Sequence, residues 1–439
     1  MDPGPRFERH DRAGQVAARP RNNPLPGGAN LPSLSNMSEH PLSRRDALAA
    51  MAAGAGVVLS GCGPGEGGAG AEGPAGEAGS TAGGDGGAAP AAWVKDPSPF
   101  VQHGTNLETR LADLEGLLTP NDLFFVRNHA PTPMIDPASY RLAVGGPGAE
   151  RQVELSLDEL KALPSHTLIS YIECAGNWRG FFQRVTGRAA SGSQWGTGAV
   201  GCAEWSGPRM ADVLALAGVR DGAVDVNVIG LDEAEWARPM PLAKALDPDT
   251  ILALTMNGEP LPPDHGFPVR VVVPGWVGSS SVKWVGRIEV ATETVWVRAN
   301  TTSYVLVGED WPADRYAPAD GAPITTGAVK SALALPYPAE LSAGPQRLRG
   351  FAYSPGGGVR GVEWNLNDGP WAPARLIGTP EALPHAWARF EFEWDAPPGS
   401  HVIRTRATDA AGDTQPLEAV YNEKGYLLNV ALPHPVEVG

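Results

Sequence analysis

Cysteine is scarce in this sequence: three residues, Cys62, Cys174 and Cys202, occur among 439. None of them forms the C-x-x-C pair that is typical of structural zinc sites, and the C-x-x-C-H motif for haem attachment is absent. Three cysteines also cannot build a disulfide framework. We therefore expect no structural zinc and no covalently attached haem in this chain.

Positively charged residues are also fewer than negatively charged ones. Lys and Arg number 34 against 49 Asp and Glu, so the formal net charge is −15. No basic patch with interleaved aromatic residues is present, which argues against nucleic-acid binding and favours a basic or neutral partner. The length indicates about two to three domains.

The N-terminal part of the chain has the features of a targeting segment. Residues 43–62, SRRDALAAMAAGAGVVLSGC, place Arg44 and Arg45 before a weakly apolar stretch that is too short to span a bilayer. Twin arginines in this position predict a Tat export signal. The closing LSGC resembles a bacterial lipobox with Cys62 as the lipidated residue. Met37 begins a better signal than Met1 does, so we expect translation to start there.

This segmentation predicts where the protein is found. Residues 1–62 are the expected export signal region, and residues 63–92, which are rich in Gly and Ala, are the expected flexible linker. We expect a periplasmic or cell-surface protein that contacts the membrane only through a lipid anchor at Cys62.

The rest of the chain divides by pattern near residue 325. Over residues 93–324 strands such as HTLISYIEC mix with helices such as MADVLALA, which Gly218 ends. Ser156 and Glu159 have the spacing of a capping box. No regular βαβ alternation is present, so we predict an α+β fold. Over residues 325–439 short alternating segments between turn clusters predict a β-sandwich.

Cys174 lies in the segment YIECAGNWRGFF, where an apolar strand runs into a turn of small residues. Small residues let a ligand approach the backbone closely. On these residues alone three interpretations stay open: a buried structural thiol, a metal ligand, and a nucleophile.

Polar side chains that can donate hydrogen bonds recur beside Gly- and Pro-rich loops. They are Arg127, Asn128, His129, Arg179, His265, Arg270, Ser281 and Lys283. Guanidinium groups suit bidentate capture of phosphate or another oxyanion. If the fold brings these residues together, they form a strongly positive pocket in an acidic protein.

Four segments then occur in a diagnostic order: FFVRNH, CAGNWRG, GLDEAE and LALTMNGEPLPPDHGFPVRVVVPGWVGSSSVKWVGRIEV. In this order they resemble the motifs of the sulfite oxidase family of molybdenum–pterin enzymes. The resemblance covers about residues 98–439. It implies a molybdopterin-binding domain over residues 93–324 and an immunoglobulin-like dimerisation sandwich over residues 325–439, and hence a homodimer.

The resemblance also implies a site. Cys174 would be the thiolate ligand of molybdenum, with one molybdenum–molybdopterin cofactor per subunit, and Cys202 matches no ligand motif. The expected cofactor-binding residues are Phe124, Phe125, Val126, Arg127, Asn128, Asp232, His265, Arg270, Ser281, Val282 and Lys283. The expected residues around the substrate are Arg127, Arg179, Trp195, Tyr304 and Lys424.

The implied activity is the oxidation of sulfite to sulfate, with electrons passed to an external c-type cytochrome. Two positions depart from the sulfite-oxidising members, which have arginine where this chain has Trp178 and Lys424. Alternatives are therefore kept: a family member that acts on sulfane sulfur in thiosulfate oxidation, one that reduces an S- or N-oxide, and a non-enzymatic lipoprotein that serves as a binding module.

Overall fold

The computed structural model describes residues 92–378 and 382–439, all of which belong to one compact unit. The predicted export signal, the start at Met37, the lipidated Cys62 and the linker up to residue 91 lie outside the described residues. Within the described part, no helix has the length and apolar character needed to cross a membrane.

Strands make up most of the regular structure. They are β1 (Val101–His103), β2 (Asn106–Glu108), β3 (Arg141–Gly145), β4 (Val153–Ser156), β5 (Ser165–Glu173), β6 (Val200–Pro208), β7 (Asp225–Gly230), β8 (Ala237–Pro241), β9 (Ile251–Ala253), β10 (Thr255–Met256), β11 (Glu259–Pro260), β12 (Arg270–Val272), β13 (Val285–Ala291), β14 (Val305–Leu306), β15 (Ala322–Pro323), β16 (Lys330–Leu333), β17 (Ala339–Leu341), β18 (Gly344–Tyr353), β19 (Val359–Leu366), β20 (Ala372–Ile377), β21 (Ala388–Ala396), β22 (Gly399–Asp409) and β23 (His434–Val438).

Helices are few, and the longest one in the described residues has eight residues. They are α1 (Leu157–Ala162), α2 (Phe182–Thr186), α3 (Met210–Ala217), α4 (Leu242–Ala245) and α5 (Arg298–Thr301). The predicted capping box is confirmed, since the Ser156 hydroxyl accepts from the Glu159 N–H and the Glu159 side chain accepts from the Ser156 N–H. The protein is mostly β, with less helix than the α+β prediction implied.

Two sheets form the framework of the first region. The five-stranded sheet has the order β4-β3-β13-β7-β8, in which only β3 and β13 run parallel. Alternate residues of β3, including Leu142 and Val144, join an apolar core with residues of α1 and α3. The four-stranded sheet has the order β11-β10-β6-β5, and the long β5–β6 pair runs from Ser165 opposite Pro208 to Glu173 opposite Val200.

The apolar segment FPVRVVVPGW forms a strand over only part of its length. Only Arg270–Val272 pairs in a ladder, with β9. Pro268 and Pro274 flank it, and proline has no N–H to donate to a ladder. The N–H of Val271 instead reaches the carbonyl of Val282, at 2.8 Å, which brings the following loop against the strand.

The C-terminal region is an eight-stranded sheet that curls on itself, in the order β16-β18-β21-β20-β19-β22-β23-β17. The segments VEWNLND, ARFEFEW and HVIRTRATD, which alternate apolar and polar residues, supply most of β19, β21 and β22 respectively. Phe390, Trp394 and Ile403 lie in its core. An immunoglobulin-like topology and a dimer contact remain predictions.

The two predicted regions share an interior. Lys330 of β16 and Glu173 of β5 form an ion pair of 2.7 Å, with both side chains almost fully buried. One apolar cluster combines Trp178 from the first region with Phe351 and Trp387 from the second. The boundary at residues 324/325 stays a prediction.

Candidate functional site

One pocket collects most of the residues that the sequence pointed to. It encloses about 680 Å³ of space, part of which is open to solvent. The predicted residues in its lining are Phe124, Phe125, Arg127, Asn128, Cys174, Asp232, His265, Arg270, Ser281, Val282, Lys283 and Tyr304. His129, one of the donors expected in a positive pocket, also lines it, and the lining residues without a predicted role are Ile172, Trp236, Asp264, Gly278, Ser279 and Trp284.

Cys174 reaches this pocket because β5 ends one residue before it. Its N–H donates to the carbonyl of Ala199 at 2.9 Å, and its own carbonyl accepts from Asn177 at 2.9 Å, so a tight turn starts at the thiol. The side chain is a free thiol and only 6% of the residue surface is exposed. A single thiol is therefore held at the wall of the pocket by backbone hydrogen bonds.

A buried polar network fixes this turn from behind. The Glu173 carboxylate accepts from Lys330 at 2.7 Å, from the Tyr353 hydroxyl at 2.8 Å and from the Asn177 amide at 3.0 Å. Asn177 also accepts from the N–H of Ala199 at 3.0 Å. Because every partner is buried, these bonds form in a low-dielectric interior and rigidify the residues that flank Cys174.

Cationic side chains also line the pocket. Arg270 is buried and donates to the carbonyls of His265 and Ser281, at 3.1 Å each, while its Nε has no hydrogen-bond partner among the described residues. Burial lowers the pKa of Arg270 to about 9. Lys283 donates to the carbonyl of Asp264 at 2.9 Å and to the side chain of Asn128. Burial, and then the charge of Arg270, hold the pKa of Lys283 well below its ordinary value.

These pKa shifts indicate which ligand the pocket suits. Charged groups that lose water and face other cations are stabilised by an anion. Two carboxylates, Asp232 and Asp264, also line the pocket. The Asp232 carboxylate already accepts from the N–H of Trp236 at 3.0 Å. The pocket therefore suits an anionic ligand.

Aromatic rings form the remaining side. The ring of His129 stacks on Trp236, with centroids 3.6 Å apart and planes 7° apart. The Tyr304 hydroxyl lies 3.3 Å from Nε2 of His129, and the Tyr304 ring stacks on Tyr426 at 5.4 Å. Although His129 keeps part of its surface open, burial among these walls and the charges of Arg127 and Lys283 lower its pKa. A neutral His129 can accept the hydroxyl proton of Tyr304 in a hydrogen bond.

Four predicted residues lie outside the lining of this pocket. Arg179 donates to the carbonyl of Lys424 at 2.8 Å and to that of Ser193 at 3.1 Å, and its guanidinium lies 4.9 Å from the ring centre of Tyr426. The Lys424 ammonium donates to the carbonyl of Thr302.

The other two are Trp195 and Val126. Trp195 is fully buried, 6.4 Å from the Phe125 ring, and its Nε1 has no partner among the described residues. Val126 pairs its backbone with Leu107 behind the pocket.

Trp236 lines the pocket although its sequence position indicated no such role. Trp236 donates from its indole to the carbonyl of Ser279 at 3.1 Å, so it joins two loops that are distant in the chain. Trp236 directly follows the segment GLDEAE, which was recognised as a motif. The motif located the loop, but nothing in it indicated which side chain would turn inward.

The fold and the site together define a class: a β-rich protein with a thiol-bearing pocket for an anionic group. Residues 129–296 match the family described as oxidoreductase molybdopterin binding domain. The chain is 38% identical over 337 residues to mitochondrial sulfite oxidase of Mus musculus, covering 72% of this chain and 60% of that protein. It is 39% identical over 333 residues to sulfite oxidase of Gallus gallus, covering 71% of this chain and 72% of that protein.

A solved structure is also similar. The crystal structure of the sulfane dehydrogenase SoxCD from Paracoccus pantotrophus superposes with a TM-score of 0.67 at 28% identity, covering 76% of this chain and 84% of that chain. The chain therefore belongs to the sulfite oxidase family of molybdopterin oxidoreductases, and the predicted family is confirmed. Molybdenum-dependent oxidoreductases are the enzyme class of this family, as predicted. The matched region covers 60% of the length of the mouse relative.

The pocket fits a molybdopterin cofactor by its own chemistry. A molybdopterin carries an anionic phosphate, and the buried Arg270 has an Nε without a partner among the described residues. A thiolate is a ligand that a soft metal prefers, and Cys174 is the thiol in the lining. The thiol of Cys174 and the positive charge of Arg270 are therefore the groups that a molybdopterin cofactor requires.

Proposed function

We propose that the protein binds one molybdenum–molybdopterin cofactor per subunit and oxidises sulfite to sulfate. The observation that carries this proposal is the position of Cys174 in a pocket that it shares with Arg127, Arg270 and Lys283. The relatives at 38% and 39% identity are sulfite oxidases, which supports sulfite as the substrate. When bound, the cofactor supplies the two-electron redox couple and the oxygen-atom transfer that turns sulfite and water into sulfate, two protons and two electrons.

The residues of this chain hold the cofactor and leave the chemistry to it. Cys174 supplies the thiolate for the metal. The residues proposed to hold the pterin and its phosphate are Phe124, Phe125, Val126, Arg127, Asn128, Asp232, His265, Arg270, Ser281, Val282 and Lys283. Val126 lies outside the lining, and its N–H and carbonyl pair with Leu107 at 2.9 Å each, so it would act by fixing the backbone between Phe125 and Arg127.

The substrate end of the pocket is proposed to lie beside Tyr304. Burial raises the pKa of Tyr304, so its hydroxyl keeps its proton and can donate to an oxyanion. Arg127 adds positive charge at the same place. Arg179, Trp195 and Lys424 complete this proposed group.

A sulfane-sulfur compound is the second candidate substrate. Trp178 is fully buried and lies under the Lys330 ammonium, 5.2 Å from it, so it places no cation where sulfite-oxidising members have arginine. The similarity to a sulfane dehydrogenase supports this candidate. Comparing kcat/KM for sulfite and for thiosulfate separates the two: a ratio far above one for sulfite supports sulfite oxidation, and the reverse supports the sulfane candidate.

The remaining parts of the proposal concern partners and location. The net charge of −15 suits a basic c-type cytochrome as the external electron acceptor. We propose an immunoglobulin-like sandwich over residues 325–439 that forms the homodimer contact. We also propose export through the Tat pathway and a lipid anchor at Cys62.

Replacing the thiol tests the function. Cys174→Ser keeps the size of the side chain but removes the soft ligand, so we expect loss of sulfite-dependent cytochrome c reduction and of bound molybdenum, with an unchanged circular dichroism spectrum. Metal analysis and the cytochrome assay on the purified full chain measure both.

The matched control is Cys202→Ser. Cys202 is fully buried away from the pocket, and burial raises its pKa to about 12. This variant should keep its molybdenum. If Cys174→Ser retains wild-type activity, or if the wild-type protein contains neither molybdenum nor pterin, the proposed function is wrong.

A further inference from the structure

Lys95 makes an unusual set of contacts behind the pocket. Its Nζ lies 2.8 Å from the carbonyl oxygen of Phe124, 2.9 Å from that of Asn121 and 2.8 Å from Nε2 of His265. An ammonium group has three N–H donors and no acceptor. Burial lowers the pKa of Lys95 to about 7, so at pH 6 the side chain is an ammonium, and the three neighbours then accept its three N–H donors.

This arrangement determines where His265 carries its proton. Burial, followed by the charges of Lys95, Arg270 and Lys283, holds the pKa of His265 well below its ordinary value, so the ring is neutral. A neutral imidazole has one donor nitrogen and one acceptor nitrogen. Because Nε2 accepts from the Lys95 ammonium, the proton lies on Nδ1 at this pH. The carbonyl of Asn121 also accepts from this ammonium, and it lies 3.3 Å from Nε2, farther than the Lys95 Nζ at 2.8 Å.

The protonated nitrogen is the one left for a ligand. Within the described residues Nδ1 of His265 makes no hydrogen bond, and His265 lines the pocket. The ring is oriented by edge-on packing against Phe124, with centroids 5.3 Å apart. His265 therefore offers the pocket a neutral N–H donor in a fixed direction.

Lys95 is itself held in place by the pocket. Its backbone N–H donates to the Asp264 carboxylate at 2.8 Å, and that of Val94 donates to the same group at 3.0 Å. The carbonyl of Ala92 accepts from the Asn128 amide at 3.0 Å. The segment 92–95 is thus bound to residues that line the pocket, and Lys95 comes from a part of the chain before residues 129–296, which match the family.

We propose that Lys95 is a positioning residue for the cofactor: it fixes His265 as the Nδ1-protonated tautomer, so that His265 donates a hydrogen bond to the bound molybdopterin. This inference rests on the proposed function for the identity of the ligand. The tautomer itself does not depend on that identity.

The experiment compares Lys95→Met with the wild-type holoprotein at pH 6, where Lys95 is an ammonium, both labelled with ¹⁵N in the histidine rings. Methionine keeps the length and apolar body of the side chain and removes its donors. We expect the wild-type spectrum to contain a buried ring with an unprotonated Nε2 and a protonated Nδ1, and we expect this pair of signals to shift in Lys95→Met. The release of pterin on dialysis should become up to about tenfold faster, as expected for the loss of one hydrogen bond.

Lys161→Met is the matched control, because Lys161 forms an exposed ion pair with Asp158 at 3.1 Å on helix α1. It should match wild type in both measurements. Lys95→Arg, which keeps a charged donor, should recover part of the pterin retention.

The proposal is overturned if Lys95→Met has the ring signals and pterin release of Lys161→Met. It is also overturned if the wild-type spectrum has no ring of the expected tautomer, a result that does not depend on the variant folding. Absence of pterin from the wild-type protein would overturn the proposed function and leave the tautomer result standing.

Discussion

Gly176 illustrates how one residue controls the turn after Cys174. A Cβ placed on it would lie 2.6–2.8 Å from the guanidinium atoms of Arg179. Arg179 cannot easily give way, because its Nε and Nη1 donate to the carbonyls of Lys424 and Ser193. The small residue is therefore needed for the close approach of a charged side chain, in addition to the space it leaves near the thiol.

We predict that Gly176→Ala lowers the free energy of unfolding by about 1–3 kcal/mol, the usual cost of overpacking a filled interior. Denaturant unfolding of the full chain measures the change. Gly361→Ala is the matched control, because a Cβ at Gly361 would meet nothing within 4 Å. Equal stability of the two variants would contradict the explanation.

Tyr304 has a strained backbone conformation that its aromatic neighbours hold in place. Tyr304 adopts a positive φ of 40°, which a residue with a side chain rarely does. Its ring is held between His129 and Tyr426. Backbone strain of this kind persists where the surroundings over-determine the conformation, and such positions cluster at functional sites.

Among the elements, the junction between β5 and β16 is the one that positions Cys174. The Glu173 carboxylate at the end of β5 is neutralised by Lys330 at the start of β16, and the two side chains are 3% and 0% exposed. The C-terminal sheet thus contributes directly to the residues beside the thiol. The C-terminal region therefore supports the site through Lys330, although none of its described residues lines the pocket.

Breaking this pair should be costly, because it leaves a buried carboxylate without a counter-charge. We predict that Lys330→Met lowers the free energy of unfolding by about 3–5 kcal/mol. Lys161→Met, which removes a surface lysine, should change it by less than about 1 kcal/mol. A denaturation curve for Lys330→Met that coincides with that of Lys161→Met would show that the network does not hold the junction.

For the whole molecule, buried neutral histidines link stability to pH. His434 in the C-terminal sheet donates from Nε2 to the carbonyl of Pro336 at 2.9 Å, and burial lowers its pKa to about 4. The unfolded chain binds a proton at this residue below about pH 6.5. Folding then excludes that proton, so the contribution of His434 to stability is present above this pH and is lost as the pH falls toward 4.

We predict that the stability of wild type decreases with falling pH in this window more steeply than that of His434→Gln. The difference in slope should be about 1.4 kcal/mol per pH unit. Glutamine keeps an N–H donor for Pro336, so both proteins should be similar at pH 7. Unfolding curves at pH 7, 6 and 5 test this, and parallel dependences in the two proteins would refute it.

Sequence patterns were enough to predict the family, the β-rich C-terminal region and most of the residues that line the pocket. Residues such as Arg127 and Asn128, or Ser281 and Lys283, are neighbours in short motifs, and a motif carries its own local geometry. The capping box at Ser156 was predicted for the same reason: all of its hydrogen bonds lie within one helical turn.

Contacts between groups that are distant in the chain could be read only from the three-dimensional structure. Lys95 and His265 are 170 residues apart, and Lys330 and Glu173 are 157 residues apart, so neither contact has a local pattern. The structure also shows that the Arg179 guanidinium bonds the carbonyls of Lys424 and Ser193. Periodicity and motifs report interactions within an element, whereas contacts between elements follow from how the sheets pack, and packing distributes its energy over many residues at once.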